Sequence, residues 1–193
     1  MNGNKTDRRI RYTKMMIRQA LLELMENKPI NKITVTEICT VADINRGTFY
    51  TYYTDPYDLL TQIENALYTD INRSLEKSKD VGMNLKVLEE IMEYLSKNSA
   101  FIKVLISKNG DQDFVRRIVN IYHEKTVSEW CLVNPEATPE KLELLYIFIS
   151  GGIVGIIQNW FVNDTKQSHK EVAEYIASLI SRCVMGEGEL RLT

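Results

Sequence analysis

Between Asn45 and Tyr53 the chain reads Asn-Arg-Gly-Thr-Phe-Tyr-Thr-Tyr-Tyr, which crowds several nucleic-acid-gripping side chains into fewer than three helical turns. An arginine offers a planar fork that matches a phosphate or a guanine edge, while hydroxyls and amides hold phosphate oxygens. Arg46, Thr48, Tyr50, Thr51 and Tyr52 are therefore expected at a groove, with Asn45 and Thr34 near phosphates. Gly47 would let the backbone come close, because any side chain there holds the helix away. Phe49 and Tyr53 fall on the other side of the same helix and are expected in a core.

A second basic group lies at the N-terminus, where Arg8, Arg9 and Arg11 are expected to meet the DNA backbone. Residues 1–20 carry six basic side chains against one acidic, although the whole chain has a net charge of −2. Positive charge is thus gathered at one end, as a phosphate-facing surface requires.

Catalysis finds no comparable support. The two histidines, His123 and His169, stand apart from any Cys, His or Glu cluster at metal-ligand spacing. There is no nucleophile elbow, phosphate loop or dinucleotide fingerprint, so neither an enzyme nor a cofactor or metal is expected.

Each boundary around the recognition stretch has a local cause. Thr34 and Glu37 have capping-box spacing, and Ile33 and Ile38 flank the box as a hydrophobic staple, which predicts a helix from Val35 to Ala42. Asp43 stands where the chain must turn and tolerates the left-handed conformation. Asn45 is a good N-cap for a second helix, Arg46 to Tyr53. Asp55-Pro56 starts a third element. Ahead of them, Ile10, Ile17, Ala20, Leu21, Leu24 and Met25 share one face of a helix over 10–27, ended by Lys28-Pro29. Residues 1–9 lack an apolar period and read as a flexible basic arm.

This arrangement resembles the DNA-binding domain of the TetR family of transcriptional regulators. The resemblance rests on Ile17, Ala20, Leu21, Leu24, Thr34-Val35, Ile38, Ala42, Ile44, Arg46-Gly47-Thr48-Phe49-Tyr50, Tyr53 and Leu59-Leu60. Two positions depart from the family pattern: Asp43 replaces the usual turn glycine, and Pro56 replaces a lysine that helps to grip a phosphate. The resemblance implies a C-terminal domain that binds a small effector and, through it, alters the spacing of two DNA-binding heads.

Apolar periodicity predicts further helices over 56–77, 84–98, 100–107, 112–132, 138–162 and 168–185, with a loop over 78–83 and a turn at Asn109-Gly110-Asp111. The expected fold is all-α, about nine helices. Residues 10–55 would form the helix-turn-helix domain, and the long helix from Pro56 would lead into an effector-binding and dimerisation bundle over 56–193. Phe101, Tyr122, Trp130, Tyr146 and Trp160 are candidates to line an effector cavity, with plain core packing as the alternative for each. The middle of the helix over 138–162, from Ile147 to Trp160, is apolar nearly all round until Gln158 and contains Gly151, Gly152 and Gly155. Glycines there favour close approach of another backbone. Together with Tyr175 and Leu179 on the last helix they are candidates for a homodimer interface, the alternative being that they make room for a ligand.

Composition sets the outer bounds. At 44% hydrophobic and 26% charged residues the chain is ordinary for a globular protein. No run of about 18 apolar residues is present, so no membrane span is expected. Cys39, Cys131 and Cys183 are read as buried free thiols in a reducing cytoplasm. The expectation is a cytoplasmic repressor that holds a palindromic duplex operator as a homodimer and is released by a small-molecule effector. The alternatives are a helix-turn-helix protein controlled by abundance or a protein partner, and an enzyme or structural protein that uses the motif only for packing.

Overall fold

The computed structural model describes residues 3–76, 85–107, 109–163 and 165–185. Among them the secondary structure is entirely helical: α1 (Gly3–Asn27), a 3-10 turn (Ile30–Lys32), α2 (Val35–Val41), α3 (Arg46–Tyr50), α4 (Pro56–Glu76), α5 (Leu85–Lys97), α6 (Ser99–Leu105), α7 (Gln112–Asn120), α8 (His123–Val133), α9 (Pro139–Val162) and α10 (His169–Met185). The loop expected over 78–83 lies outside the described residues.

Three differences from the expected boundaries are larger than two residues. α1 begins at Gly3, so the helix takes in residues 3–9, ahead of its expected start at Ile10. Once Ile17, Leu21 and Met25 anchor the helix, each added residue costs little and gains a hydrogen bond. The single helix expected over 112–132 is two, α7 and α8, which raises the count from nine to ten. Ile121 donates its amide to Ile118 three residues back, and Tyr122 leaves helical geometry at φ −113° and ψ 9°. Asn120, Ile121 and Tyr122 are all weak helix formers, whereas the apolar stripe runs on unbroken across them. α3 is shorter than expected and ends at Tyr50.

The chain forms two compact units. The first comprises residues up to Thr69 together with Val104–Gln112. Its core is Ile17, Leu21 and Met25 of α1, Ile38 of α2, Phe49 of α3, Tyr53, and Leu59 and Ile63 of α4, all nearly inaccessible. The second comprises Asp70–Lys103 and residues from Asp113 onward. There α5 packs on α10, with Val87, Leu88 and Met92 buried on one helix and Val172, Ala173 and Ile176 on the other. α9 packs on α8 and α10 around Trp130, Leu142, Tyr146, Ile149 and Val184.

α9 buries only Leu142, Tyr146, Ile149 and Phe161, and leaves Leu144, Ile147, Phe148 and Val162 exposed. By length and composition alone this helix is apolar enough to cross a membrane, contrary to the expectation that no segment is. Ser150, Gly151, Gly152 and Gly155 interrupt its apolar string without adding charge, which hid it from a search for unbroken runs. The cysteines also differ from expectation: Cys39 is buried, Cys183 half-buried and Cys131 exposed. Cys131 shares the open last turn of α8 with Leu132 and Val133, so apolar neighbours in sequence do not enclose it.

Candidate nucleic-acid interface

The recognition stretch is built by caps. Thr34 accepts from the amide of Glu37 at 3.3 Å, and the Glu37 carboxylate accepts from the Thr34 amide at 3.0 Å, closing the box that starts α2. Lys28 pairs with the same carboxylate. That ammonium, with the Thr34 amide and hydroxyl, holds Glu37 down to about 2 from its ordinary 4.5. α2 then ends in a Schellman motif: Ile44 N–H reaches the Cys39 carbonyl at 3.0 Å and Asp43 N–H the Thr40 carbonyl at 3.4 Å. Asp43 takes φ 50°, the left-handed geometry that the motif demands. Asn45 Oδ1 accepts from the Thr48 amide at 2.8 Å and starts α3.

Short as it is, α3 has two distinct faces. Phe49 is wholly buried and Tyr53, one turn on, nearly so. Arg46, Gly47, Tyr50 and Thr51 lie on the open side. Arg46 Nη2 donates to the Tyr50 hydroxyl at 3.3 Å, and its guanidinium lies 5.9 Å from that ring's centroid. This contact raises the Arg46 pKa further, so the residue stays charged. Thr51 donates its hydroxyl to the Gly47 carbonyl at 2.9 Å. A Cβ on Gly47 would stand 3.2 Å from Asn45 Oδ1, so glycine here also protects the cap. Arg8, Arg9 and Arg11 are exposed on α1 and have no carboxylate partner among the described residues.

Thr34 fits its expected role less well. Its amide and its hydroxyl both donate to Glu37 Oε2, at 3.0 and 2.9 Å, which leaves no donor for a phosphate while the box is closed. One residue outside the expected set stands out. The ammonium of Lys14 on α1 lies 5.3 Å from the centroid of the Tyr52 ring. The basic count of residues 1–20 included Lys14, but only the packing of α1 shows which way it points.

Of the five candidate effector residues in the second unit, Trp130 and Tyr146 meet, with ring centroids 6.0 Å apart. Trp130 and Tyr146 belong to the packed core, and the Tyr146 hydroxyl is spent on the Val119 carbonyl at 2.8 Å. Tyr122 is the N-cap of α8 and lies half-buried under the Lys125 ammonium. Phe101 is half-buried on α6. Trp160 alone of the five lines a cleft of about 680 Å³ between α9 and α10.

The same cleft takes in Gly152, Gly155 and Tyr175 from the expected dimer surface, with Asn159 and Gln167. A Cβ added at Gly151, Gly152 or Gly155 meets nothing within 4 Å, so this chain's own packing does not require glycine there. Leu179 is half-buried.

Comparison with known proteins bears on this geometry. A family model, TetR_C_8, described as a transcriptional regulator C-terminal region, matches residues 84–182. The chain is 20% identical over 172 residues to an uncharacterized HTH-type transcriptional regulator, YxbF, of Bacillus subtilis, covering 86% of this chain and 44% of that protein. It is 30% identical over 112 residues to the HTH-type dhaKLM operon transcriptional activator DhaS of Lactococcus lactis, covering 56% and 58%. The chain thus spans about half the length of these curated relatives. A TetR transcriptional regulator structure from Streptococcus agalactiae superposes with a TM-score of 0.63 at 22% identity, over 93% of this chain and 99% of that one, and shows the shared fold. With the matched C-terminal model spanning just over half of its residues, the chain belongs to the TetR family of DNA-binding transcriptional regulators.

Proposed function

We propose that this regulator reads a two-half-site duplex operator as a homodimer, with one α3 in each major groove. The observation that carries the reading is the open face of α3, where Arg46 and Tyr50 stand side by side above a buried Phe49. Arg46 and Thr48 are assigned to base edges. Gly47, Tyr50, Thr51 and Asn45 are assigned to close backbone approach and phosphates, and Arg8, Arg9 and Arg11 to sequence-independent charge contacts. Thr34 serves as the cap of α2. The reading head spans residues 10–55 and draws on the first half of α4 and residues 104–112 for its core.

A single short helix specifies only a few base pairs, so useful specificity calls for two heads. The apolar residues that α9 leaves exposed, the bare glycines and Tyr175 support an isologous interface made by α9 and α10. This use accounts for the apolar length of α9 without a membrane, and a protein that acts on DNA in this way works in the cytoplasm.

A small-molecule effector bound in the 56–193 domain, which lowers operator affinity, completes the reading as a repressor. The cleft lined by Trp160, Asn159 and Gln167 is the place assigned to it. A second reading, activation without release by a small molecule, is favoured by one observation: DhaS, at 30% identity, is an operon activator. Selecting bound fragments from genomic DNA and measuring transcription from them with and without the protein tests both readings. Falling transcription supports repression, rising transcription supports activation, and failure to select any fragment contradicts operator binding.

A further inference from the structure

Lys14 is an unusual lysine. It is half-buried, has no carboxylate partner among the described residues, and its ammonium is 5.3 Å from the centre of the Tyr52 ring. A cation within about 6 Å of an aromatic face is attracted by the ring's quadrupole, which restrains an otherwise freely moving side chain. Tyr52 lies two residues beyond the end of α3, so the contact fixes a positive charge from α1 at the exit of the recognition helix. Arg11 and Arg18 stand three residues before and four after Lys14, on the same stripe of α1.

We propose that Lys14 is a backbone-phosphate contact and that Tyr52 is its positioning residue, acting through its ring and not its hydroxyl. This rests on the DNA-binding reading above and adds to it a residue and a division of labour. A lysine on a helix outside the groove carries no base-reading geometry, so its contribution is uniform across sequences. Its removal must appear in the salt dependence, because a neutralised phosphate releases condensed counterions when it is bound.

The test is operator titration at several salt concentrations, with fluorescein-labelled selected and random duplexes, on the full chain. Lys14→Gln is expected to weaken both duplexes by the same factor. It should also lower the slope of log affinity against log salt by about 0.9 for each phosphate that is no longer neutralised. Lys14→Arg retains the wild-type slope. Tyr52→Phe retains wild-type behaviour, whereas Tyr52→Leu weakens binding, and combining it with Lys14→Gln weakens it no further. A wild-type slope in Lys14→Gln overturns the phosphate contact. A loss in Tyr52→Phe equal to that in Tyr52→Leu overturns the positioning role and assigns the hydroxyl instead. If wild-type protein binds neither duplex, the DNA-binding reading itself fails, and that result is distinct from either of these.

Discussion

Asn109, in the turn that follows α6, donates its side-chain amide to the carbonyl of Met25, 3.1 Å away in the last turn of α1. The two residues are 84 apart in sequence yet lie in one compact unit, because residues 104–112 fold with the helix-turn-helix. The last carbonyls of a helix have no intrahelical partner, and Asn109 supplies one from a distant part of the chain. Asn109→Ala is expected to cost about 1 kcal/mol in urea unfolding. Gly110→Ala is expected to cost more, about 1–3 kcal/mol, because its Cβ would stand 1.9 Å from the Leu105 carbonyl oxygen.

Glu37 gives the reading head a dependence on acid. Its carboxylate, held at about 2 by Lys28 and Thr34, is ionised in the folded protein well below its ordinary 4.5. A depressed carboxylate contributes stability fully above the unfolded pKa and loses it as pH falls through the folded one. Unfolding free energy should therefore decline from about pH 4.5 toward pH 2, and Glu37→Gln should flatten that part of the curve. The same slope in variant and wild type would remove Glu37 from the explanation.

Tyr50 is expected to serve both DNA and Arg46. Tyr50→Phe removes the hydroxyl that accepts from Arg46 Nη2 and leaves the ring. Operator affinity should drop by about 1 kcal/mol, with thermal stability unchanged because the residue is exposed. Fluorescence anisotropy with a selected duplex, alongside thermal melts, measures both quantities.

The α9 surface can be tested by sedimentation. Phe148 is 72% exposed, so Phe148→Asp disturbs no packing within the chain and should yield a folded monomer that no longer binds operator. Gly155→Leu should do the same, since a side chain there meets open space in this chain and would meet a partner in the proposed dimer. An intact Gly155→Leu dimer that no longer responds to an effector would instead assign the α9–α10 cleft to the ligand.

Local chemistry in the reading head was legible from sequence. The Thr34–Glu37 box, the left-handed Asp43, the Asn45 cap and the burial of Phe49 and Tyr53 all depend on residues within a few positions of one another. What sequence could not supply depends on long-range packing. The break at Tyr122 hides beneath an unbroken apolar stripe, and which neighbours enclose Trp130 and Tyr146 is set by the packing of α8 on α9. Lys14 looks like one arm charge among several until Tyr52 is seen beneath it. The Asn109 cap joins segments that no local rule connects.

On the function proposed above, the open face of α3 reads DNA sequence. Its most direct test is the ratio of affinities for a genome-selected duplex and a random one, measured at fixed salt for wild type and Arg46→Ala. Wild type is expected to prefer the selected duplex strongly and Arg46→Ala to lose about 1–3 kcal/mol of that preference, with random binding little changed. Equal affinity of wild-type protein for both duplexes, or an undiminished preference in Arg46→Ala, would contradict it.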